Sequence, residues 1–174
     1  MVRRGIFSRI KAYCRHLKSK MVREKMPATK IALGWAIGMF YGCVIPFGFQ
    51  LIISIPTAIL FKASKIGASF GTLITNPITI LFLYPAQTYA ANRLIGGNLK
   101  WCTISEAMNK VIEAGDYSTL LSLGVELVVS FFLGGFLLAL ICVPLTFFFV
   151  KGTVLRYRKF KERVKNRNNQ VDFS

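Results

Sequence analysis

Histidine and cysteine are scarce in this sequence of 174 residues. The single histidine, His16, lies in a basic stretch, and the four cysteines share no C-x-x-C spacing. These absences argue against a metal cluster, a disulfide framework and a Ser-His catalytic pair. We therefore expect no catalytic residue, no bound metal and no cofactor, and we predict that the protein is not an enzyme.

Acidic residues are also few, and charge is distributed unevenly along the chain. Seven Asp and Glu stand against 23 Lys and Arg, which gives a net charge of +16. Residues 1–30 hold ten of the cations and residues 151–174 hold eight, whereas residues 31–150 hold only nine charged residues of either sign. Basic flanks on apolar segments lie on the cytoplasmic side of a membrane. The pattern predicts a multi-pass membrane protein with both termini in the cytoplasm.

The apolar middle of the chain contains three zones, at residues 31–61, 66–95 and 120–150. Each zone is half as long again as the roughly 20 residues that span a bilayer. Since both termini lie on one side, the number of crossings is even, and one zone has to turn back. We predict that the first zone is a broken re-entrant hairpin, that the second is a broken helix crossing outward, and that the third is a transmembrane helix crossing back.

Residues 96–119 join the last two zones as an external loop, in which Thr103 and Glu106 have the spacing of a capping box and predict a short helix. Residues 1–30 place apolar side chains at helical spacing among cations, and the basic tail at residues 151–174 also mixes the two kinds. We expect these ends to bind anionic lipids rather than nucleic acid. The predicted fold class is an all-α integral membrane protein with broken or re-entrant helices, transmembrane helices, and basic amphipathic interfacial helices at the termini.

Glycines recur every four residues in two of the apolar segments. They are Gly34, Gly38 and Gly42 in the first zone, and Gly67 and Gly71 in the second. Inside a membrane such ridges let helix backbones approach closely, within one chain or between the subunits of a homo-oligomer. The alternative is that they let a backbone approach a ligand.

Two sequence stretches break the apolar zones in a way that predicts a site. The helix-breaking residues are Pro46, Gly48, Asn76 and Pro77. Irregular backbone at membrane depth is tolerated where it is buried in protein or lines a wet cavity, and a half-helix that starts at a proline attracts anions. If the breaks meet, they form one polar substrate-binding site, for which the candidates are Gln50, Thr75, Asn76, Thr79 and Arg93. The alternative is that the breaks only satisfy each other as a folding device.

Two charged residues lie near zone ends, Arg93 in the second zone and Glu126 in the third. Charges inside a membrane are costly and usually functional. One hypothesis is that Arg93 and Glu126 pair to gate an external opening, and another is that Arg93 alone holds a phosphate. The simpler interpretation is that both side chains reach the outer interface.

An ordered series of motifs in residues 26–96 resembles a bacterial membrane-protein family. The motifs are Ala-Leu-Gly-x-Ala-x-Gly at residues 32–38, Pro-x-Gly at 46–48, Gly-Thr at 71–72, Asn-Pro-Ile-Thr at 76–79 and Arg-x-x-Gly at 93–96. The family is catalogued as the domain of unknown function DUF2062. The resemblance implies a small integral protein of the bacterial cytoplasmic membrane, often encoded near or fused to cell-envelope glycosyltransferases.

Three functions remain open at this point. The first is a small transporter or lipid translocator for an anionic envelope species such as a polyprenyl phosphate. The second is a scaffold or anchor that holds envelope glycosyltransferases at the membrane without transport. The third is a narrow channel, although the sequence supplies no selectivity ring.

Overall fold

The computed structural model describes residues 26–46, 48–73, 75, 77–114 and 124–171. Over these residues the chain forms six helices and no strand, which confirms the predicted all-helical class. In chain order the helices are α1 (Ala28–Val44), α2 (Gln50–Leu60), α3 (Lys65–Thr72), α4 (Pro77–Leu94), α5 (Trp101–Ala114) and α6 (Val125–Val171).

Proline and serine set several helix boundaries. α1 ends where Ile45 becomes extended, at φ −97° and ψ 135°, because the residue before a proline avoids the helical region. Ser64 caps α3 by accepting a hydrogen bond of 2.8 Å from the Gly67 N–H at its Oγ. α4 begins at Pro77, since the fixed φ of proline suits the first helical turn.

α1 packs antiparallel on α6. At the end of α1, a Cβ added to Gly135 of α6 would lie 2.5 Å from the Cys43 carbonyl oxygen. At the start of α1, Arg158 of α6 donates a hydrogen bond to the Met26 carbonyl. Between these points lies a buried apolar cluster of Ala28, Ile31, Ala32, Trp35, Val150 and Val154. These contacts fix how far α1 extends along α6.

α3 runs parallel to α1. α2, which connects them in the sequence, runs in the opposite direction. A Cβ added to Gly34 would lie 2.2 Å from the Ser64 carbonyl oxygen, and one added to Gly38 would lie 2.1 Å from the Ala68 carbonyl oxygen. Both contacts advance in the same direction along the two helices. α1 and α2 therefore form an α-hairpin, and the short helix α3 packs alongside α1.

α4 and α5 pack against the first part of α6. Their shared core is a buried cluster of Ile80, Tyr84, Ile104, Ala107, Met108, Leu127 and Phe131. Tyr84 and Phe131 meet edge to face, with ring centroids 5.0 Å apart, an arrangement that aromatic pairs favour. This cluster lies toward the opposite end of α6 from the α1 start.

Cations gather at one end of the molecule, which we call the basic end. It consists of the start of α1, the turn at residues 61–64 and residues 151–163 of α6. Lys30 Nζ donates to the Phe61 carbonyl at 3.0 Å, and the Ser64 N–H donates to the Lys30 carbonyl at 3.0 Å. The chain is thus brought back to Lys62 and Lys65 beside the α1 start, so the described part of both chain ends lies at the basic end.

Large apolar side chains remain exposed along the helices. Val125 is 78% exposed, and Phe82 and Phe149 are each 75% exposed. Among the described residues, one helical stretch, Val125–Arg163, is long and apolar enough to cross a membrane by its length and composition, whereas α1 and α2 are apolar but shorter. Exposed apolar surface on this scale indicates contact with lipid or with other protein.

The structure differs from the expected segment boundaries in two places. Residues 125–171, which include most of the third apolar zone and of the basic tail, form one helix of 47 residues rather than a transmembrane helix and a separate tail, because the tail is rich in Lys and Arg, which are good helix formers. α5 begins at Trp101, two residues before the Thr103 of the predicted capping box. The amphipathic helix predicted for the first 25 residues lies outside the described residues.

Candidate functional site

The two predicted helix breaks are both present. The first lies between α1 and α2, where Gly48 has a φ of 104°, a left-handed conformation that glycine adopts without strain. The second lies between the end of α3 at Thr72 and the start of α4 at Pro77. The backbone therefore leaves the helical path where the proline and glycine residues predicted, although Asn76 itself lies outside the described residues.

The two breaks meet, and they do so through Gln50 and Thr75. Thr75 Oγ1 lies 3.0 Å from Gln50 Oε1 and 2.8 Å from the Thr72 carbonyl oxygen, so its hydroxyl hydrogen serves one of them at a time. Gln50 Nε2 lies 3.5 Å from the same Thr72 carbonyl, which is a weak contact. Gln50 is 3% exposed and Thr75 is fully buried. We call this contact the break junction.

Gly42 makes room for the break junction. A Cβ at this position would lie 3.1 Å from Thr75 Oγ1 and 3.6 Å from Gln50 Oε1. Farther along the same interface, a Cβ at Gly71 would lie 2.5 Å from the Trp35 carbonyl oxygen, and one at Gly67 would lie 3.0 Å from the Ile31 carbonyl oxygen. All five glycines singled out in the sequence therefore lie between α1 and α3, where backbone meets backbone within one chain.

Two side chains of α4 reach the end of α1. Gln87 Nε2 donates to the Cys43 carbonyl at 3.3 Å, and the Tyr84 hydroxyl donates to the Ile45 carbonyl at 3.4 Å. The last carbonyls of a helix have no partner within it, so they need donors from elsewhere. Sequence reasoning missed both residues, although a polar pair three residues apart in an otherwise apolar helix is a usable signal.

Three buried polar atoms have no hydrogen-bond partner among the described residues. They are Ser54 Oγ, Gln87 Oε1 and Thr88 Oγ1. Ser54 lies one helical turn after Gln50, on the same face of α2, and Gln87 is the residue that reaches α1. Each unsatisfied buried group costs about 1–3 kcal/mol, so each of these three groups calls for an explanation.

Three other residues were predicted to bind substrate, of which Asn76 lies outside the described residues. Thr79 is exposed in the first turn of α4. Arg93 is exposed near the end of α4, six residues or about 9 Å beyond Gln87. The structure therefore brings Gln50 and Thr75 together and leaves Arg93 outside their contact.

Arg93 and Glu126 do not form the predicted pair. Arg93 Nε donates to the Tyr89 hydroxyl at 3.3 Å, and its guanidinium lies 5.3 Å from the centre of the Tyr89 ring. Glu126 Oε1 instead accepts a hydrogen bond of 2.7 Å from Asn92 Nδ2. Successive helical residues point about 100° apart, so Asn92 faces α6 whereas Arg93 faces outward.

Asn92 is the centre of a second polar cluster that sequence reasoning missed. Its Nδ2 also donates to Ser130 Oγ at 3.1 Å, and its Oδ1 accepts from the Leu99 N–H at 3.1 Å. The side chain is fully buried, and all of its hydrogen-bonding groups are used. This amide ties α4, the following loop and the start of α6 together at the end of the molecule opposite the basic end.

The comparison with known families gives one match. The sequence model of a family described as "Uncharacterized protein conserved in bacteria (DUF2062)" matches residues 11–163. The chain belongs to the DUF2062 family. The resemblance drawn from the motifs of residues 26–96 is thereby confirmed, and the match extends it to α5 and to most of α6. No curated protein and no solved structure matches this DUF2062 chain.

The described residues of this DUF2062 protein offer no metal centre. No three His, Cys, Asp or Glu side chains among them lie close enough together to hold an ion. The chemistry available at the break junction is therefore hydrogen bonding by amide and hydroxyl groups.

Proposed function

We propose that this DUF2062 protein is an integral protein of the bacterial cytoplasmic membrane that acts as a small transporter or lipid translocator for an anionic envelope species, such as a polyprenyl phosphate. The observation that carries the proposal is the break junction: two broken segments enter from the basic end and meet, through buried Gln50 and Thr75, inside the apolar part of the molecule. Discontinuous helices that meet at membrane depth are typical of secondary transporters.

The depth of the break junction follows from the packing of α1 on α6. Gly135, which contacts the end of α1, precedes Lys151 at the basic end by 16 helical residues, or about 24 Å along the axis. The hydrocarbon core of a bilayer is about 30 Å thick. If Lys151 marks the cytoplasmic interface, α1 and α3 therefore end within the membrane without crossing it.

This geometry supports the predicted topology. α1 and α2 form the re-entrant hairpin, which starts at the basic end and returns to it at Lys62 and Lys65, where α3 enters the membrane again. α3 and α4 together, as the broken second zone, then make the outward crossing and α6 makes the return crossing, with the Asn92 cluster and α5 at the outer side. Both termini are then cytoplasmic, as the positive-inside rule requires.

The basic end suits an anionic partner. Lys30, Lys62 and Lys65 lie around the starts of α1 and α3, and each helix start adds the positive end of its macrodipole. Each cation near an anionic membrane surface contributes on the order of 1 kcal/mol of attraction. We propose that this surface collects anionic lipid head groups from the cytoplasmic leaflet.

Buried polar groups of α2 and α4 then serve the passage of a head group. Ser54, Gln87 and Thr88 each have a buried polar atom without a partner, and hydrogen bonds to a polar solute would offset the cost of burying these atoms. The start of α4 at Pro77 places the positive end of the α4 helix dipole at the second break. Hydrogen bonding of this kind binds a solute during its passage and needs no nucleophile.

A second candidate function is a non-transporting scaffold for envelope glycosyltransferases. It is favoured by one observation, namely that Gln50 and Thr75 bond to each other and are 3% and 0% exposed. A buried contact whose polar groups bond to each other stabilises the fold and leaves no group for a substrate. The partner enzymes are those that the family resemblance implies.

Flux measurements separate the two functions. The full chain and a Ser54→Ala, Thr88→Val variant would be reconstituted in vesicles, and inward and outward movement of a fluorescent short-chain polyprenyl phosphate would be followed. These substitutions remove buried polar atoms that bond to nothing, so folding is expected to be preserved or improved. Transport predicts a flux in the wild type that falls at least tenfold in the variant. A wild-type flux no greater than that of empty vesicles would leave the scaffold as the working function.

A further inference from the structure

An apolar crevice runs between α4 and α6 on the outside of the molecule. Its volume is about 320 Å³. Small residues of both helices, including Ala86, Ala90 and Gly134, form its floor, and Leu94, Leu138 and Ile141 lie along its edges. Leu94 is 73% exposed and Ile141 is 62% exposed, so the crevice opens sideways onto the apolar surface.

The dimensions of the crevice fit one alkyl chain. It follows α4 from Leu83 to Leu94, which is about 16 Å at 1.5 Å per residue. One leaflet contributes half of the hydrocarbon core, or about 15 Å. A helix about 10 Å wide and equally long would occupy on the order of 1,000 Å³, about three times the volume available. A single lipid tail fits this space, and a partner helix does not.

A cation stands beside one end of the crevice. Arg93 directly precedes Leu94, and the Tyr89 hydroxyl and ring hold its Nε and its guanidinium plane. Trp101 backs the Tyr89 ring, with centroids 5.7 Å apart. Among the described side chains Arg93 has no ion pair, and the residue is exposed, so its guanidinium is accessible to a phosphate, a group that arginine binds bidentately.

We propose that the crevice holds the alkyl chain of an anionic lipid whose phosphate is bound by Arg93. The inference rests on the membrane topology of the proposed function. Arg93 lies with the Asn92 cluster at the start of α6, away from the basic end, so the bound lipid belongs to the outer leaflet. The charge at Arg93 and the apolar crevice complement the two ends of one lipid molecule.

Trp101 provides a built-in reporter of this lipid, since it is 44% exposed and lies beside Tyr89. The full chain carrying Trp35→Phe, which leaves Trp101 as its single tryptophan, would be reconstituted in vesicles containing phosphatidylglycerol and phosphatidylcholine in equal amounts, with bromine on the chains of one lipid or of the other. Bromine quenches tryptophan on contact. We expect brominated phosphatidylglycerol to quench Trp101 at least twice as strongly as brominated phosphatidylcholine.

Four variants test where the head group and the tail lie. Arg93→Gln removes the charge and is expected to abolish the preference, whereas Arg93→Lys retains it in part. Ala90→Leu fills the crevice and is expected to abolish the preference with the charge intact. Phe82→Leu, at an exposed position of α4 outside the crevice, is the matched control and retains it.

Each outcome decides something different. A preference that survives Arg93→Gln or Ala90→Leu overturns the inference but leaves the proposed function untouched, since the lipid is then bound elsewhere. Quenching by neither brominated lipid overturns the inference together with the membrane topology on which it rests.

Discussion

The contact between α1 and α3 makes Gly38→Ala the sharpest test of the fold. A Cβ at this position would lie 2.1 Å from the Ala68 carbonyl oxygen, 2.8 Å from Gly71 Cα and 2.9 Å from the Thr72 nitrogen. All three neighbours are backbone atoms and cannot rotate away. Ordinary contact begins near 3.4 Å, so α3 has to retreat by about 1.3 Å, and the break junction moves with it.

The expected cost can be separated from helix propensity. Overpacking a close contact costs about 1–3 kcal/mol, and the upper end applies here because backbone has to move. Replacing glycine by alanine inside a helix returns about 1 kcal/mol. Gly152→Ala supplies that gain alone, because nothing lies within 4 Å of a Cβ built there. The difference between the two variants therefore measures the α1–α3 contact.

Thermal unfolding in detergent provides the assay. For a chain of this size, 1 kcal/mol corresponds to about 2–4 °C in Tm. We expect Gly38→Ala to unfold about 6–12 °C below Gly152→Ala. If the two variants unfold within 2 °C of each other, α1 and α3 do not approach as closely as described, and the argument that places the break junction fails.

Three further predictions concern other parts of the molecule. Thr75→Val is expected to lower the free energy of unfolding by about 1–3 kcal/mol, because Gln50 loses its buried partner. Chemical denaturation measures this loss against that of Thr153→Val, whose hydroxyl bonds only to its own helix. Equal losses in the two variants would contradict the prediction. Asn92→Leu is expected to lower the free energy of unfolding by about 2–4 kcal/mol, since three hydrogen bonds are lost and Glu126 loses a donor. The Tm of this variant is compared with that of Asn98→Ala, at an exposed position. An unchanged Tm would exclude the described network. In intact cells, a single cysteine replacing Lys110 is expected to react with an impermeant thiol reagent added outside. A single cysteine replacing Lys62 is expected to react only after the inside of the cell is exposed. The reverse pattern would show that the topology is opposite to the one proposed.

Local backbone chemistry explains why the helix breaks were predictable. Pro46, Gly48 and Pro77 act on their own φ and ψ angles or on those of the preceding residue, so their effect does not depend on distant parts of the chain. The glycine spacing of four residues likewise indicated a close helix contact. The identity of the facing helix was not predictable, because Gly34 and Gly38 carry no side chain that specifies a partner.

The Arg93–Glu126 hypothesis failed for a geometric reason. A shift of one residue turns a helical side chain by about 100°, and sequence position alone does not give the rotation of α4 about its axis. Asn92 therefore reached Glu126, whereas Arg93 turned outward to Tyr89. The change from apolar to charged residues after residue 150 predicted the end of a helix, but α6 continues through it. A change of this kind alters the surroundings of a helix and does not end it.

The uninterrupted course of α6 has a mechanical consequence. Its 47 residues span about 70 Å, whereas a bilayer with its head groups is about 40–45 Å thick. In the proposed topology, about 30 Å of stiff rod, residues 151–171, therefore stands in the cytoplasm. A tilt of about 10° inside the membrane would sweep the tip of this rod through about 5 Å, so a rearrangement around Asn92 on the outer side would become a displacement that a cytoplasmic protein can feel.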